Sequence, residues 1–365
     1  MNKKIVAQDK QILVGVDVHT KKHVITCKID GEFTKTIHLR PEVKEWEKVI
    51  ARFPGCELKV VYEAGLTGYN LYDWLKELNG LNMTRIEPCV APPAKIPKAP
   101  GDRVKTDKRD TISLINALES RSFKPVVVPN RVQREERELV RQRERVLIDL
   151  KAIKNEMHGL LKFHGIPYTS KGLWTSIGLK TVEAAVARHD ITGKLKQVFA
   201  IKLNLLRVLQ AGLVELSKSV RCLYKEGACA LVAQAIAQAV GVGWLSAVTI
   251  AVETPDFLAF RNSEAYASFT GTVPSEASSG DTVRRGAITR AGNRHIRRVL
   301  TECAWAWMIR DKEAAAIYHK IKAGKDDRKK IAIVALMRRL AVKIFHLART
   351  ALLNNLSAQQ QPAAA

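Results

Sequence analysis

From Arg131 onward, Val132, Leu139, Val146, Ile153 and Leu160 fall at one strict seven-residue spacing. Leu150 and Met157 fill the intervening position, while Glu136 and Arg143 leave it polar early on. No other feature of the chain constrains its fold as tightly, because a helix with such a seam has to lay it against another helix. Turn signals at Gly165-Ile166-Pro167 and Gly172 interrupt the pattern. A second run follows, with Leu206, Leu209, Leu213, Leu216, Val220 and Leu223 alternately three and four apart. The two coiled-coil-like helices pair either with each other, as an antiparallel hairpin, or with another copy of the chain. Spacing alone leaves both arrangements open.

Upstream the period is different. Residues 12–17, 23–29 and 33–39 are short apolar runs that read as adjacent strands with tight connections, Gly31 separating the last two. A helix over 42–51, a buried strand over 58–62, a helix over 70–78 and a strand over 83–90 come next. After a Pro/Gly-rich run at 91–101, a helical spacing occupies 111–118. This order predicts a mixed sheet with helices packed on it, an α/β domain spanning 1–128. The long helices occupy 129–226, and a mostly α-helical C-terminal domain occupies 227–352. The Gln/Ala/Pro-rich tail, 353–365, reads as disordered.

Residues 227–252 carry no charge and are long enough to span a bilayer. Gly241-Val242-Gly243 interrupts them, and Gln234 and Gln238 lie within them, so a buried helix, turn and helix is the expectation and no membrane partner is assigned. Gly241 and Gly243 also give the turn the look of a helix-hairpin-helix, in which backbone amides approach a phosphate. Residues 1–10 are polar, without a signal-peptide core. Six cysteines without a Cys-x-x-Cys pair suggest neither zinc nor disulfides, which fits a reduced cytoplasm.

The formal net charge is +24, from 60 Lys and Arg against 36 Asp and Glu, which points to a polyanionic partner and to nucleic acid first. Against that background the acids stand out. Asp17 ends the first strand and Glu63 the fourth, and Asp107 and Asp110 open the helix after the last strand, three apart on one face. If the first and fourth strands are neighbours, the four carboxylates converge. Hard oxygen donors of that kind suit Mg²⁺ or Mn²⁺, and paired ions clamp the attacking and leaving oxygens of a phosphodiester. Acidic first turns also complement a helix dipole, so each acid alone is a weak signal. Lys105, Lys108 and Arg109 flank the acids and suit phosphate positioning. His19 and His23, four apart on a strand and its turn, read as structural.

Gly15-Val16-Asp17-Val18-His19, Tyr62-Glu63-Ala64-Gly65-Leu66-Thr67-Gly68-Tyr69 and Lys105-Thr106-Asp107-Lys108-Arg109-Asp110 together resemble the DEDD signature of the RuvC-like domain in the Piv/MooV family of DNA invertases and insertion-sequence transposases. The segments 271–280 and 285–295 resemble that family's C-terminal transposase domain, and the likeness runs over residues 12–349. The resemblance implies an RNase H/RuvC-like α/β N-terminal domain whose Asp17, Glu63, Asp107 and Asp110 hold metal. It implies a recombinase whose Ser279 attacks the DNA backbone to give a covalent protein-DNA intermediate, with Ser278 adjacent. It further implies donor and target DNA as substrates, a noncoding guide (bridge) RNA that pairs with both, and a homo-oligomer built as a dimer of dimers. Action beside the nucleoid in the cytoplasm follows from the same likeness.

Read from its residues, the serine loop has no neighbouring histidine or lysine in sequence, so a metal or a spatial neighbour must help remove the hydroxyl proton. Arg284, Arg285, Arg290, Arg294, Arg297 and Arg298, with Asn293 among them, supply cations for a phosphate backbone. Two other readings remain open at this stage: a resolvase-like, structure-selective nuclease that needs the acids and no serine, and a non-catalytic nucleic-acid scaffold.

Overall fold

The structure, a computed structural model, describes residues 10–97, 106–169, 171–276, 285–289 and 291–360. The chain divides into two compact units, 1–128 and 129–365.

In the first unit, β1 (Gln11–Val18) runs antiparallel to β2 (His23–Ile29). Two short strands, β3 (Glu32–Phe33) and β4 (Ile37–Leu39), both pair with the outer edge of β2. The single strand expected over 33–39 is therefore two pieces. Phe33 is paired with Lys28 and Ile37 with Ile25, so three residues face two, and the extra one breaks the ladder as a bulge. After α1 (Val43–Ile50), β5 (Glu57–Glu63) lies parallel to β1 on its other side. After α2 (Asn70–Glu77), β6 (Arg85–Ala91) lies parallel to β5. The first and fourth expected strands are thus neighbours.

Period-two alternation gives the sheet two buried faces. Ile12, Val14, Val16, Leu58, Val60 and Tyr62 pack with Trp46, Ile50, Leu71 and Leu75 of α1 and α2. On the opposite face Leu13, Val61, Cys89 and Ala91 pack under Leu114 and Ile115 of α3 (Asp107–Glu119).

In the second unit, α4 (Arg131–Phe163) and α6 (Gly193–Glu226) pack on each other, with α5 (Ser176–Arg188) between them in sequence. Leu150, Ile153 and Met157 meet Leu203 and Leu206 there, so the two long helices form a hairpin within one chain. The buried stripe departs from the expected seam: Val132 is exposed, while Glu136, Val140 and Leu161 are buried. A straight helix drifts against a seven-residue repeat, which moves the stripe onto neighbouring positions toward the ends. By length and composition α6 also resembles a membrane span, with Ile201, Leu205 and Val208 exposed along it.

Residues 227–252 form α7 (Ala230–Ile236) and α8 (Trp244–Glu253), broken at Gly241 with φ +89°. Helix α9 (Ser263–Phe269), the hairpin strands β7 (Pro274–Glu276) and β8 (Arg285–Ile288), and helices α10 (Arg294–Arg310), α11 (Lys312–Lys322) and α12 (Lys329–Gln360) complete the unit. Leu336, Leu340, Ile344 and Phe345 of α12 are buried in a core that also takes in Val140 of α4 and Val220 of α6. Residues 353–360, expected to be disordered, continue α12. No proline or glycine interrupts the sequence before Pro362, so nothing stops the helix earlier.

Candidate metal centre

The α3 face of the sheet carries the acids. Asp17 follows Leu13 and Gly15 at period two, and Glu63 follows Val61 on the adjacent parallel strand, where Val16 is paired with Tyr62. Helix α3 reaches them because Gly15 has no side chain. A Cβ built there would run into the Thr111 carbonyl oxygen and lie 3.0 Å from Ile115 Cγ1. The Thr111 hydroxyl donates to the Lys108 carbonyl (2.8 Å) and so accepts from Thr26 of β2 (2.7 Å), which fixes the first turn of α3 against the sheet. Thr106 caps that turn by accepting from the Arg109 amide.

This approach brings Asp17 and Asp107 together with His19. One ligand atom from each lies within 4.8 Å of the others. His19 Nε2 is 3.0 Å from Asp17 Oδ2 and 4.0 Å from Asp107 Oδ1, and Lys22 Nζ donates to Asp107 Oδ2 at 2.6 Å. Burial pushes the Asp17 carboxyl above its ordinary value; His19 opposes that rise, and the charges of Asp107 and Asp110 add to it. Asp107 is held below its ordinary value, chiefly by the hydrogen bond from Lys22. Asp110 is therefore within electrostatic reach of Asp17, but neither it nor Glu63 belongs to the tight group. Two converging carboxylates, a third within electrostatic reach and an imidazole are a donor set that fits a hard divalent cation. Lys108 and Arg109 are exposed beside it; Lys105 lies outside the described residues.

His19 and His23, both expected to be structural, have different surroundings. His23 is buried, accepts a hydrogen bond from Trp46 Nε1 (3.1 Å) and is pushed down to about 4 by burial, so it is a neutral core residue. His19, in the β1–β2 turn, sits on the acids. The signal for it was its place two residues beyond Asp17, where the strand has ended. Lys22, in the same turn, was missed as well.

In the second unit Ser278, Ser279, Arg284 and Arg290 lie outside the described residues. Strands β7 and β8, which flank the serine segment in sequence, pair Pro274 with Ile288 and Glu276 with Arg285. At the base of this hairpin Gly271 (φ +71°) and Gly292 are pressed together, and the Asn293 amide donates to the Phe269 carbonyl (3.0 Å). The Asn293 side chain caps α10 and donates to Glu253 Oε2 (2.7 Å). Glu253, fully buried at the end of α8, also receives both arms of Arg141 from α4 (2.7 and 2.8 Å). Arg297 points at the Thr270 and Gly292 carbonyls, and Arg298 pairs with Glu144 (2.7 Å) and Glu302 (3.0 Å). Asn293, Arg297 and Arg298, expected on nucleic acid, thus have partners inside the protein, while Arg294 is exposed. Gly241 uses its missing Cβ to pack on the α10 backbone at Cys303 and Trp307, which accounts for a glycine there without a phosphate; Gly243 faces open space ahead of α8.

Comparison with known proteins adds sequence relatives to this geometry. Residues 14–166 match a transposase family model, that of the DEDD domain of the IS110 type, and residues 233–319 match the model of the IS116/IS110/IS902 transposase family. The chain is similar to the putative transposase y4qE of Sinorhizobium fredii, with 30% identity over 83% of this chain and 73% of that protein. It is also similar to the transposase of insertion sequence element IS1533 of Leptospira borgpetersenii, with 27% identity over 81% of this chain and 85% of that one. A probable family 20 transposase of Pseudomonas aeruginosa is 26% identical over 64% of this chain and 67% of its own.

Proposed function

Because the chain belongs to the IS116/IS110/IS902 family of insertion-sequence transposases, we propose that its acids run metal-dependent DNA strand cleavage and transfer for a mobile element. The observation that carries the proposal is the convergence of Asp17 and Asp107, from two segments ninety residues apart, on one point at the end of β1. Asp17, Glu63, Asp107 and Asp110 of a RuvC-like domain hold Mg²⁺ or Mn²⁺, with His19 against Asp17. Bound there, the ion neutralises phosphate charge and lowers the cost of deprotonating a nucleophile. Ser279 is the attacking group and forms a covalent protein-DNA intermediate. Lys105, Lys108, Arg109, Arg284, Arg285, Arg290 and Arg294 position phosphates, and Gly243 offers a backbone approach. A noncoding guide RNA pairs with donor and target DNA, and the exposed apolar face of α6 supports assembly into a homo-oligomer.

The test is a denaturant-resistant protein-DNA adduct, sought with the RNA transcribed from the flanking DNA, labelled donor and target, and Mg²⁺. An adduct lost in Ser279→Ala, retained in Ser278→Ala and dependent on RNA is the expected result. Metal-dependent cleavage that survives both serine changes without an adduct would instead identify a resolvase-like nuclease.

A further inference from the structure

The second unit contains a cleft of about 1320 Å³ between α10, α12 and the β7–β8 hairpin. Helix α12 presents one continuous face to it, because positions 330, 334, 338 and 342, and 331, 335, 339 and 343, recur every four residues. That face alternates chemistry. Lys330, Arg338, Arg339 and Lys343 are cations, and Arg294 faces them from α10, with Arg297 and the glutamate-paired Arg298 on the same helix. Between the cations lie Ile331, Val334 and Val342, with Met337 beneath them and Ile288 on the hairpin side. Among the described residues no Asp or Glu lines the cleft. Ile331 is 61% exposed, a large aliphatic side chain left uncovered beside Lys330 at the N-terminal end of this basic face.

We infer that this cleft binds an unpaired nucleic-acid strand, its phosphates on the α10 and α12 cations and its bases against the aliphatic floor. The inference deepens the recombinase reading and rests on it for the identity of the polyanion. Charge selects the class of occupant: beside Arg298, which Glu144 and Glu302 hold, the lining carries Arg294, Arg297, Lys330, Arg338, Arg339 and Lys343 and no acid of its own, which is complementary to a phosphate backbone. A second copy of this chain, itself at net charge +24, is a poor match. The floor selects between strand forms. A duplex offers phosphates outside and keeps its base faces stacked within, so it leaves Ile331 and Val334 wet. An unpaired strand offers base faces between its phosphates, and those faces can cover the aliphatic side chains. The cleft also lies beside the hairpin that flanks the serine segment in sequence, where strands separated during exchange need to be held.

The test uses the full-length protein in chelator with two probes: a short single strand containing 4-thiothymidine, and the same strand annealed to its complement. Photo-crosslinks from the single strand are expected in peptides covering β8 and residues 330–343, and are expected to disappear on annealing. In binding titrations, Arg338→Gln with Arg339→Gln should lower the slope of log affinity against log salt by about 1.4 for the single strand, roughly 0.7 per phosphate contact removed. Ile331→Ser, an exposed position where the fold is not at risk, should weaken single-strand binding about fivefold and leave duplex binding unchanged. Crosslinks elsewhere only, equal crosslinking of the duplex, or an unchanged slope would overturn the assignment; an acidic protein segment would then be the better occupant. Because chelator removes metal-dependent cleavage from the readout, failure of the cleft and failure of the recombinase reading are separable. A protein that never cuts DNA but crosslinks as described keeps the cleft assignment.

Discussion

Replacing Gly15 with alanine tests whether the acid cluster depends on the close approach of α3 to β1. The added Cβ would lie closer to the Thr111 carbonyl oxygen than carbon and oxygen can come, and 3.0 Å from both the Thr111 carbonyl carbon and Ile115 Cγ1. Two of those atoms are backbone and the third is fully buried, so no flexible side chain can move aside. Helix α3 has to retreat by on the order of 1 Å to restore ordinary contact. The retreat has two consequences. Overpacking costs about 1–3 kcal/mol of stability. Asp107 and Asp110 also move with the helix, away from Asp17, and a displacement of about 1 Å in a reacting group costs about 100-fold in rate. Chemical denaturation, Mn²⁺ binding followed by electron paramagnetic resonance, and metal-dependent DNA cleavage read the effects in turn. Metal affinity is expected to fall about 10- to 100-fold, as when groups behind a metal ligand are disturbed. Gly193→Ala is the control: nothing lies within 4 Å of that position and its backbone is ordinary, so it should be neutral or slightly stabilising. Wild-type Mn²⁺ affinity and cleavage in Gly15→Ala would refute the claim that this contact sets the spacing of the acids.

Glu253→Gln should destabilise the protein by about 3 kcal/mol in urea titration, because it leaves Arg141 and Arg137 without their buried counter-charge. Burial would raise the Glu253 carboxyl, but Arg141, Asn293 and Arg137 hold it below its ordinary 4.5. Its contribution to stability is therefore complete above about 4.5 and is lost as pH falls through the lower folded value, and Glu253→Gln should flatten that part of the acid limb. His23, with a folded value near 4 against 6.5 when unfolded, should lower stability progressively as pH falls from 6.5 towards 4, and its ring should stay neutral by NMR until about pH 4. Lys22→Ala removes the cation on Asp107, so the Asp107 carboxyl should titrate at higher pH than in the wild type, a change readable by carbon NMR.

The sheet was legible because residues 12–16 are an uninterrupted apolar run and 58–62 one broken only by Lys59, and their order with the intervening helices leaves few topologies. The acids were legible because each closes a strand or opens a helix. What stayed hidden depended on spatial partners. His19 read as structural alongside His23, since spacing cannot show that His19 lies in the turn after β1 with its ring on the acids while His23 opens β2 with its ring in the core. Glu253 directly follows the uncharged run 227–252, and only the fold brings Arg141, 112 residues away, onto it. Asn293 and Arg298 read as contacts to a phosphate backbone, yet capping and ion pairs occupy their side chains. The long helices carry the same stripe whether their partner is within the chain or outside it, so their pairing became visible only in three dimensions.

The most direct measurement is Mn²⁺ binding by wild-type protein and by Asp17→Asn, Glu63→Gln, Asp107→Asn and Asp110→Asn, with DNA cleavage measured on the same samples. Asp17→Asn and Asp107→Asn are expected to lose tight binding and cleavage together, with the other two weakened. Undiminished Mn²⁺ affinity in both Asp17→Asn and Asp107→Asn would contradict the assignment of the metal centre to the end of β1.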